Sequence, residues 1–366
     1  MVNVRRNALS IAVVTAAAVI PAGFLAAGAS ASRRAPQAAT ISEIATPGVE
    51  SFYISAGPGK TGVWYTAAGT GSLTEVGQVA AGSDTPASYQ KNIIQAGQQG
   101  EAGLGPITQG PDQNLWFVQS AEPSSAGAGV VYRISSGVGD SGDGKIGTVK
   151  YNRAGGVLPV LGGITSGPKG RLWFTESSGA VGAPEEIGSI GVHGGVTPGI
   201  PARPDIPGAI TEGPGGNLYF TEPNNETIAK LAPGGAITPV ATGIVGLRDL
   251  IYADGDLWFT AADAVGRVSV AGAGLQTLPL KVDPDQIVAQ PGSASELWFT
   301  TPDSVAGSGG HESGAVGTVT VSPSGTLSSS LVTQGITGLA TFGITATATQ
   351  VWFTEGASDR LGVISF

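Results

Sequence analysis

The sequence predicts an all-β fold, a seven-bladed β-propeller of four-stranded blades. Three observations carry that prediction: an aromatic motif recurs seven times, a second short element follows each copy, and the last copy stops one strand short. The fullest copy is Ser166-Gly167-Pro168-Lys169-Gly170-Arg171-Leu172-Trp173-Phe174-Thr175-Glu176. Its relatives run Gly110 to Phe117, Gly213 to Glu222, Leu257 to Thr260, Leu297 to Thr300 and Val351 to Glu355, with a looser copy at Val63 to Thr66. In these copies a cluster of turn residues leads into a short run of apolar, aromatic and Thr residues, the pattern of a hairpin entering a strand. The run does not alternate between apolar and polar, so both faces of the strand are expected to be buried, as between packed sheets.

The anchors are Trp64, Trp116, Trp173, Tyr219, Trp258, Trp298 and Trp352, with spacings from 39 residues (Tyr219 to Trp258) to 57 (Trp116 to Trp173). The second elements are Val76-Gly77, Ile146-Gly147, Ile187-Gly188, Ile228-Ala229, Val265-Gly266, Val316-Gly317 and Leu361-Gly362. Repeats of about 40 to 50 residues holding several strands each are propeller blades. The seventh copy has no outer strand after it, and Ile41 to Thr46, ahead of the first copy, reads as the strand that completes it. Closing the last blade this way leaves the ring with only short, protected edges.

In chain order, Met1 to Ala31 carries Arg5 and Arg6, an apolar run from Ala8 to Gly28, and Ala29-Ser30-Ala31. That is the layout of a secretory leader, with the mature, secreted chain starting near Ser32. The apolar run is also about long enough to cross a bilayer; its Ala and Gly content favours cleavage, which leaves no membrane span. Residues 32–40 read as a linker and 41–366 as one propeller domain, expected to be a monomer. The 59 Gly and 24 Pro supply turns, and Cys is absent, which removes disulfides, thiolate chemistry and thiolate metal sites. A formal charge of −9 argues against nucleic acid and anionic membranes as partners.

Two stretches interrupt the repeat: Gln119 to Lys145, expected between the second and third strands of blade two, and Pro302 to Ala315 in blade six. Short turns, at Asn152 to Gly156, Val192 to Gly195, Ala232 to Gly235, Ala271 to Gly274 and Ser322 to Gly325, are expected to join third to fourth strands on the face that also holds the Gly-Pro turns. The lengthened links then lie on the opposite face. Variable loops on a rigid scaffold are where function usually sits, so that face is the candidate functional one.

The pattern Gly-Pro-x-Gly-Asn-Leu-Trp/Tyr-Phe-Thr-Glu, followed by Ile-Gly and a Gly-rich turn, resembles the repeat of the virginiamycin B lyase (streptogramin lyase) family over roughly residues 41 to 366. The resemblance implies a carbon–oxygen lyase that eliminates across the ester of a cyclic depsipeptide, with magnesium and histidines at the mouth of the channel. The mouth position lies two residues before the apolar residue that opens each innermost strand: Phe52, Gly105, Gly162, Gly208, Arg248, Asp285 and Phe342. Arg248 falls where the family's first histidine would be, Asp285 where the second would be, and Asp283 where its acid would be. The positions are present without the histidines.

Arg is a poor base but holds carboxylates and oxyanions. Asp283 and Asp285 are candidate ligands for Mg2+ or Ca2+, and either could serve as a base if its pKa were raised. An Arg–Asp ion pair across two blades, a cation or ligand site, and lyase chemistry all stay open. So do a binding propeller at the cell surface, taking a small or peptidic ligand at its mouth, and a surface propeller that presents its loop face to another protein.

Outside the mouth, His311 and Glu312 in the blade-six interruption form a candidate ligand-binding loop, and His193 reads as a solvated turn residue. Gly139 to Lys145 imitates a phosphate-binding loop but lacks its Ser/Thr and helix. Asp140 and Asp143 lie in the same stretch without the calcium-loop pattern. Glu176, Glu222 and Glu355 recur with the repeat and are expected to be polar strand ends.

Overall fold

In the motif strand, successive side chains leave opposite faces of the sheet, and here both faces meet another blade. Trp64 packs among the residues of blade two, Trp116 against blade three, Trp173 against blade four, Tyr219 against blade five, Trp258 against blade six, Trp298 against blade seven, and Trp352 against blade one. The next residue along points back into its own blade and the preceding interface: Phe117, Phe174, Phe220, Phe259, Phe299 and Phe353 are all buried. This two-sided burial is why the run is apolar without alternation.

The computed structural model describes residues 40–366 except 47–48, 60, 70–72, 92–102, 121–129, 135–145, 151–159, 178–184, 203–205, 294, 307–311 and 357. The leader read from the sequence lies outside the described residues. Seven four-stranded antiparallel sheets form a seven-bladed β-propeller. Blade one holds Val49–Ala56, Val63–Gly69, Leu73–Val79 and Pro86–Lys91. Blade five holds Leu250–Ala253, Asp256–Ala261, Ala264–Ser269 and Gln276–Pro279. Each innermost strand touches that of the next blade, and Val49–Ala56 touches Ala340–Ala346 of blade seven, which closes the ring. As expected, the N-terminal strand Thr40–Ala45 pairs with Arg360–Ser365 and completes blade seven.

The glycine of the second element has a packing cause. A Cβ on Gly77, Gly188, Gly266, Gly317 or Gly362 would strike the ring of Tyr65, Phe174, Phe259, Phe299 or Phe353 on the neighbouring strand. In blade four Ala229 takes that position opposite Phe220.

Blade two corrects the sequence reading. Its third strand is Val130–Ile134, inside the stretch expected to be an interruption, and Ile146–Lys150 is its outer strand. Tyr132, not Gly147, lies opposite Phe117, with the rings stacked at a centroid distance of 4.9 Å. Among the described residues a Cβ on Gly147 would meet nothing closer than the Arg133 carbonyl at 3.9 Å, so that glycine is not the one a motif ring requires. The Gly139 to Lys145 stretch and Asn152 to Gly156 lie outside the described residues; in chain order the second follows the outer strand rather than preceding it, against the sequence reading. The other four turns join third to fourth strands as expected.

Blade six carries a second correction. Its second and third strands, Glu296–Ala306 and Glu312–Val321, are the longest described, and they extend the hairpin through most of the expected loop. Glu312 pairs with Ala306 in that ladder, while His311 lies outside the described residues. Glu176, Glu222 and Glu355 do lie at or near strand ends but are buried rather than solvated.

Candidate functional site at the channel mouth

The threonine of the motif builds the mouth. Its hydroxyl accepts the N–H of the residue directly before the apolar opener (Ile210, Leu250, Ile287 or Ile344) of its own blade: Ala209 N–H to Thr221 (3.0 Å), Asp249 to Thr260 (3.0 Å), Gln286 to Thr300 (3.1 Å) and Gly343 to Thr354 (2.8 Å). The hydroxyl then donates to the carbonyl of the mouth residue one blade on. Thr66 donates to Gly105, Thr175 to Gly208 (2.8 Å), Thr260 to Asp285, Thr300 to Phe342 and Thr354 to Phe52 (3.2 Å). These threonines are fully buried. The recurrent Thr is thus a blade-to-blade latch that sets the mouth residues in place, a role that the sequence pattern marks by recurrence but does not explain.

The cavity so framed has a volume of about 370 Å³. Five predicted mouth residues line it, Phe52, Gly162, Arg248, Asp285 and Phe342, whereas Pro106 and Ala209 line it where Gly105 and Gly208 were expected. Its polar wall comes from blades five and six, with Arg248, Asp249, Asp285 and Gln286; its aromatic wall comes from blades seven and one, with Phe342, Phe52 and Tyr53. The Phe52 and Phe342 rings sit 5.9 Å apart, tilted by 52°.

Arg248 donates to Asp283 across the blade-five to blade-six junction, with side chains 37% and 25% exposed. This is the interblade ion pair that the sequence left open. The other Asp283 oxygen, Oδ1, is buried with no hydrogen-bond partner among the described residues. Asp285 lines the cavity, and its carboxyl has no hydrogen bond or ion pair among the described residues. Burial, with the neighbouring Asp249 and Asp283 charges, pushes its pKa up to about 6 against the opposing pull of Arg248.

Asp249 was not singled out from the sequence. Its carboxylate accepts the Leu250 N–H at 2.8 Å and, across the junction, the Ile287 N–H at 2.9 Å. Burial raises its pKa while those two bonds oppose the rise. Gln286 repeats the device one blade on, its Oε1 accepting the Ile344 N–H at 3.3 Å. The signal available in the sequence was a polar residue directly before the apolar opener of the strand, where other blades carry Pro106, Gly163, Ala209 or Gly343. Burial, then Asp285 and Asp249, raise the Tyr53 hydroxyl above its usual value, which places all three groups within electrostatic reach.

The residues present do not suit a resident divalent ion. The Arg248 guanidinium takes up the Asp283 carboxylate, Asp249 is committed to backbone amides, and among the described residues no group of three or more His, Cys, Asp or Glu could hold a metal.

Fold and site together define a seven-bladed propeller with a charged and aromatic cavity at one end of its channel. The chain belongs to the virginiamycin B lyase family, whose model matches residues 40–308. Among solved structures it is similar to a catalytically inactive virginiamycin B lyase variant from Staphylococcus aureus with quinupristin, at 20% identity and a TM-score of 0.66 over 90% of this chain and 99% of that one. A selenomethionine-substituted virginiamycin B lyase from the same organism gives 21% identity and a TM-score of 0.67 over the same shares. YCF48 bound to D1 peptide shares the fold at 12% identity and a TM-score of 0.60, over 89% of this chain and 97% of that one. No curated protein matches the sequence.

Proposed function

We propose that the protein is a secreted propeller that binds a small peptidic ligand at the mouth of its channel, without a resident metal. The observation that carries this reading is the cavity of about 370 Å³, in which the ring's only charged mouth positions face an aromatic wall. Concave sites with a few converging polar groups on an apolar wall are the usual form of ligand pockets. Family membership supports the choice of ligand class, since the relative in the Staphylococcus aureus structure is described with quinupristin.

A second reading is favoured by one group. Asp285, titrating near 6 and facing the cavity, is mostly ionised at neutral pH and suited to proton transfer. In an ester elimination its carboxylate would take a proton from the carbon adjacent to the ester's alkyl carbon, which in a depsipeptide also carries an amide carbonyl. That electron pair would form the new double bond as the alkyl carbon–oxygen bond breaks, and Arg248 would hold the departing carboxylate.

Titration calorimetry with a cyclic streptogramin B depsipeptide tests the first reading. Binding by the wild type that falls at least tenfold in both Phe342→Ala and Asp285→Asn supports it, and binding indifferent to both substitutions overturns it. Chromatography of the same mixtures tests the second: a ring-opened unsaturated product that Asp285→Asn does not form supports elimination, and unchanged depsipeptide in the wild type sinks it. Magnesium or calcium added after chelation is expected to leave the unfolding midpoint unchanged, because a specifically bound ion would raise it. Export is tested separately, by sequencing the N-terminus of the protein recovered outside the cell, expected near Ser32.

A further inference from the structure

The cavity is short of positive charge on its polar side. Asp249 and Asp285 line it with one guanidinium, that of Arg248, and Arg248 is already paired with Asp283, which does not line the cavity. Asp249 spends its oxygens on the amides of Leu250 and Ile287, and no cation among the described residues pairs with it. Asp285 remains as a carboxyl on the cavity wall with no hydrogen bond or ion pair among the described residues, although most of it is out of water. A partly desolvated carboxylate in that setting is unfavourable unless a cation or donor meets it.

The order of the blades puts aromatic faces beside this carboxyl. Blade seven follows blade six, and its mouth residue is Phe342; blade one follows, with Phe52 and Tyr53. A cation seated at Asp285 would therefore lie next to rings whose π-faces attract positive charge. Blades two to four contribute Pro106, Ile107, Gly162, Gly163, Ala209 and Ile210, so the opposite side of the mouth is small and uncharged and suits the body of a ligand rather than its charge.

We infer that the ligand of this mouth presents an ammonium group, which sits between the Asp285 carboxyl and the aromatic wall of Phe342, Phe52 and Tyr53. The inference rests on the binding reading above and narrows it to an amine-bearing, peptide-like molecule. Arg248 then acts as a brace that keeps Asp283 turned away, leaving Asp285 as the group that meets the ligand.

The test uses 2-phenylethylamine, which stays protonated, as the cationic probe and N-acetyl-2-phenylethylamine as its neutral counterpart, each titrated into isotopically labelled protein at pH 7.5 and followed by amide chemical shifts. The amine is expected to shift the amides around Phe52, Asp285 and Phe342 and to bind at least tenfold more tightly than the acetylated probe. Asp285→Asn, which keeps size and shape, is expected to bring the amine down to the affinity of the acetylated probe, and Phe342→Leu to weaken the amine more than the acetylated probe. Equal affinity of the two probes at the mouth overturns the ammonium inference while leaving the binding site standing. Absence of mouth shifts with either probe, at concentrations up to the solubility limit, overturns both.

Discussion

Thr354 sits where the ring closes, and replacing it with Val tests whether the motif threonine is a latch. Its hydroxyl accepts the Gly343 N–H at 2.8 Å and donates to the Phe52 carbonyl at 3.2 Å, tying blade seven to blade one. Val has nearly the same shape, so packing against the neighbours is kept and the two hydrogen bonds are what is lost. Each bond is worth about 1 kcal/mol net, and leaving a buried amide or carbonyl unsatisfied raises the cost to about 1–3 kcal/mol per group. A loss of about 2–4 kcal/mol is expected. In a domain of this size one kcal/mol corresponds to about 2 °C, so the unfolding midpoint should fall by about 4–8 °C in differential scanning calorimetry. Thr354→Ser keeps the hydroxyl and gives up one methyl, about 1 kcal/mol. A Val variant within about 0.5 kcal/mol of wild type, or a Ser variant as unstable as Val, would refute the latch.

Three further outcomes follow from the packing and the charges. Gly317→Ala drives a methyl into the Phe299 ring and should cost more than about 2 kcal/mol in urea unfolding, whereas Gly147→Ala, with its nearest neighbour among the described residues 3.9 Å away, should stay within about 0.5 kcal/mol. Burial, and then the charge of Glu43, raise the Glu355 carboxyl from its usual 4.5 to about 7. The folded state therefore holds a proton that the unfolded state has released between about pH 4.5 and 7, so stability should fall as pH rises through that window. Glu355→Gln should flatten the unfolding free energy measured across that range. Removing the guanidinium with Arg248→Ala should raise the Asp285 titration above about 6, since Arg248 is the group that lowers it, as read from carboxyl carbon shifts.

The comparison of blade two with the others shows what a local pattern conveys. An aliphatic residue followed by Gly marks a third strand wherever a motif ring lies on that glycine, as Phe259 lies on Gly266 and Phe353 on Gly362. In blade two Tyr132 stacks on Phe117 instead, so Ile146-Gly147 matched the pattern without its cause, and the true third strand went unrecognised. The mouth was legible to the extent that it is periodic. Counting two residues back from each strand opener found Phe52, Gly162, Arg248, Asp285 and Phe342. Asp249 escaped the same count because it lies one residue on, and its importance comes from accepting the Ile287 amide 38 positions away.

By itself the sequence determined the number of blades, the strand that closes the ring and five of the seven positions expected to reach the mouth. All three are repeated local features: turn residues, a two-sided aromatic run and a fixed spacing. Only the tertiary structure decided which carboxylate Arg248 pairs with, which one is left facing the cavity, and that buried threonines bind each blade to the next. Those outcomes depend on groups from neighbouring blades meeting in a partly dry space. There, desolvation and the charges of Asp249, Arg248 and Asp283 set the protonation of Asp285, and sequence spacing carries no record of them.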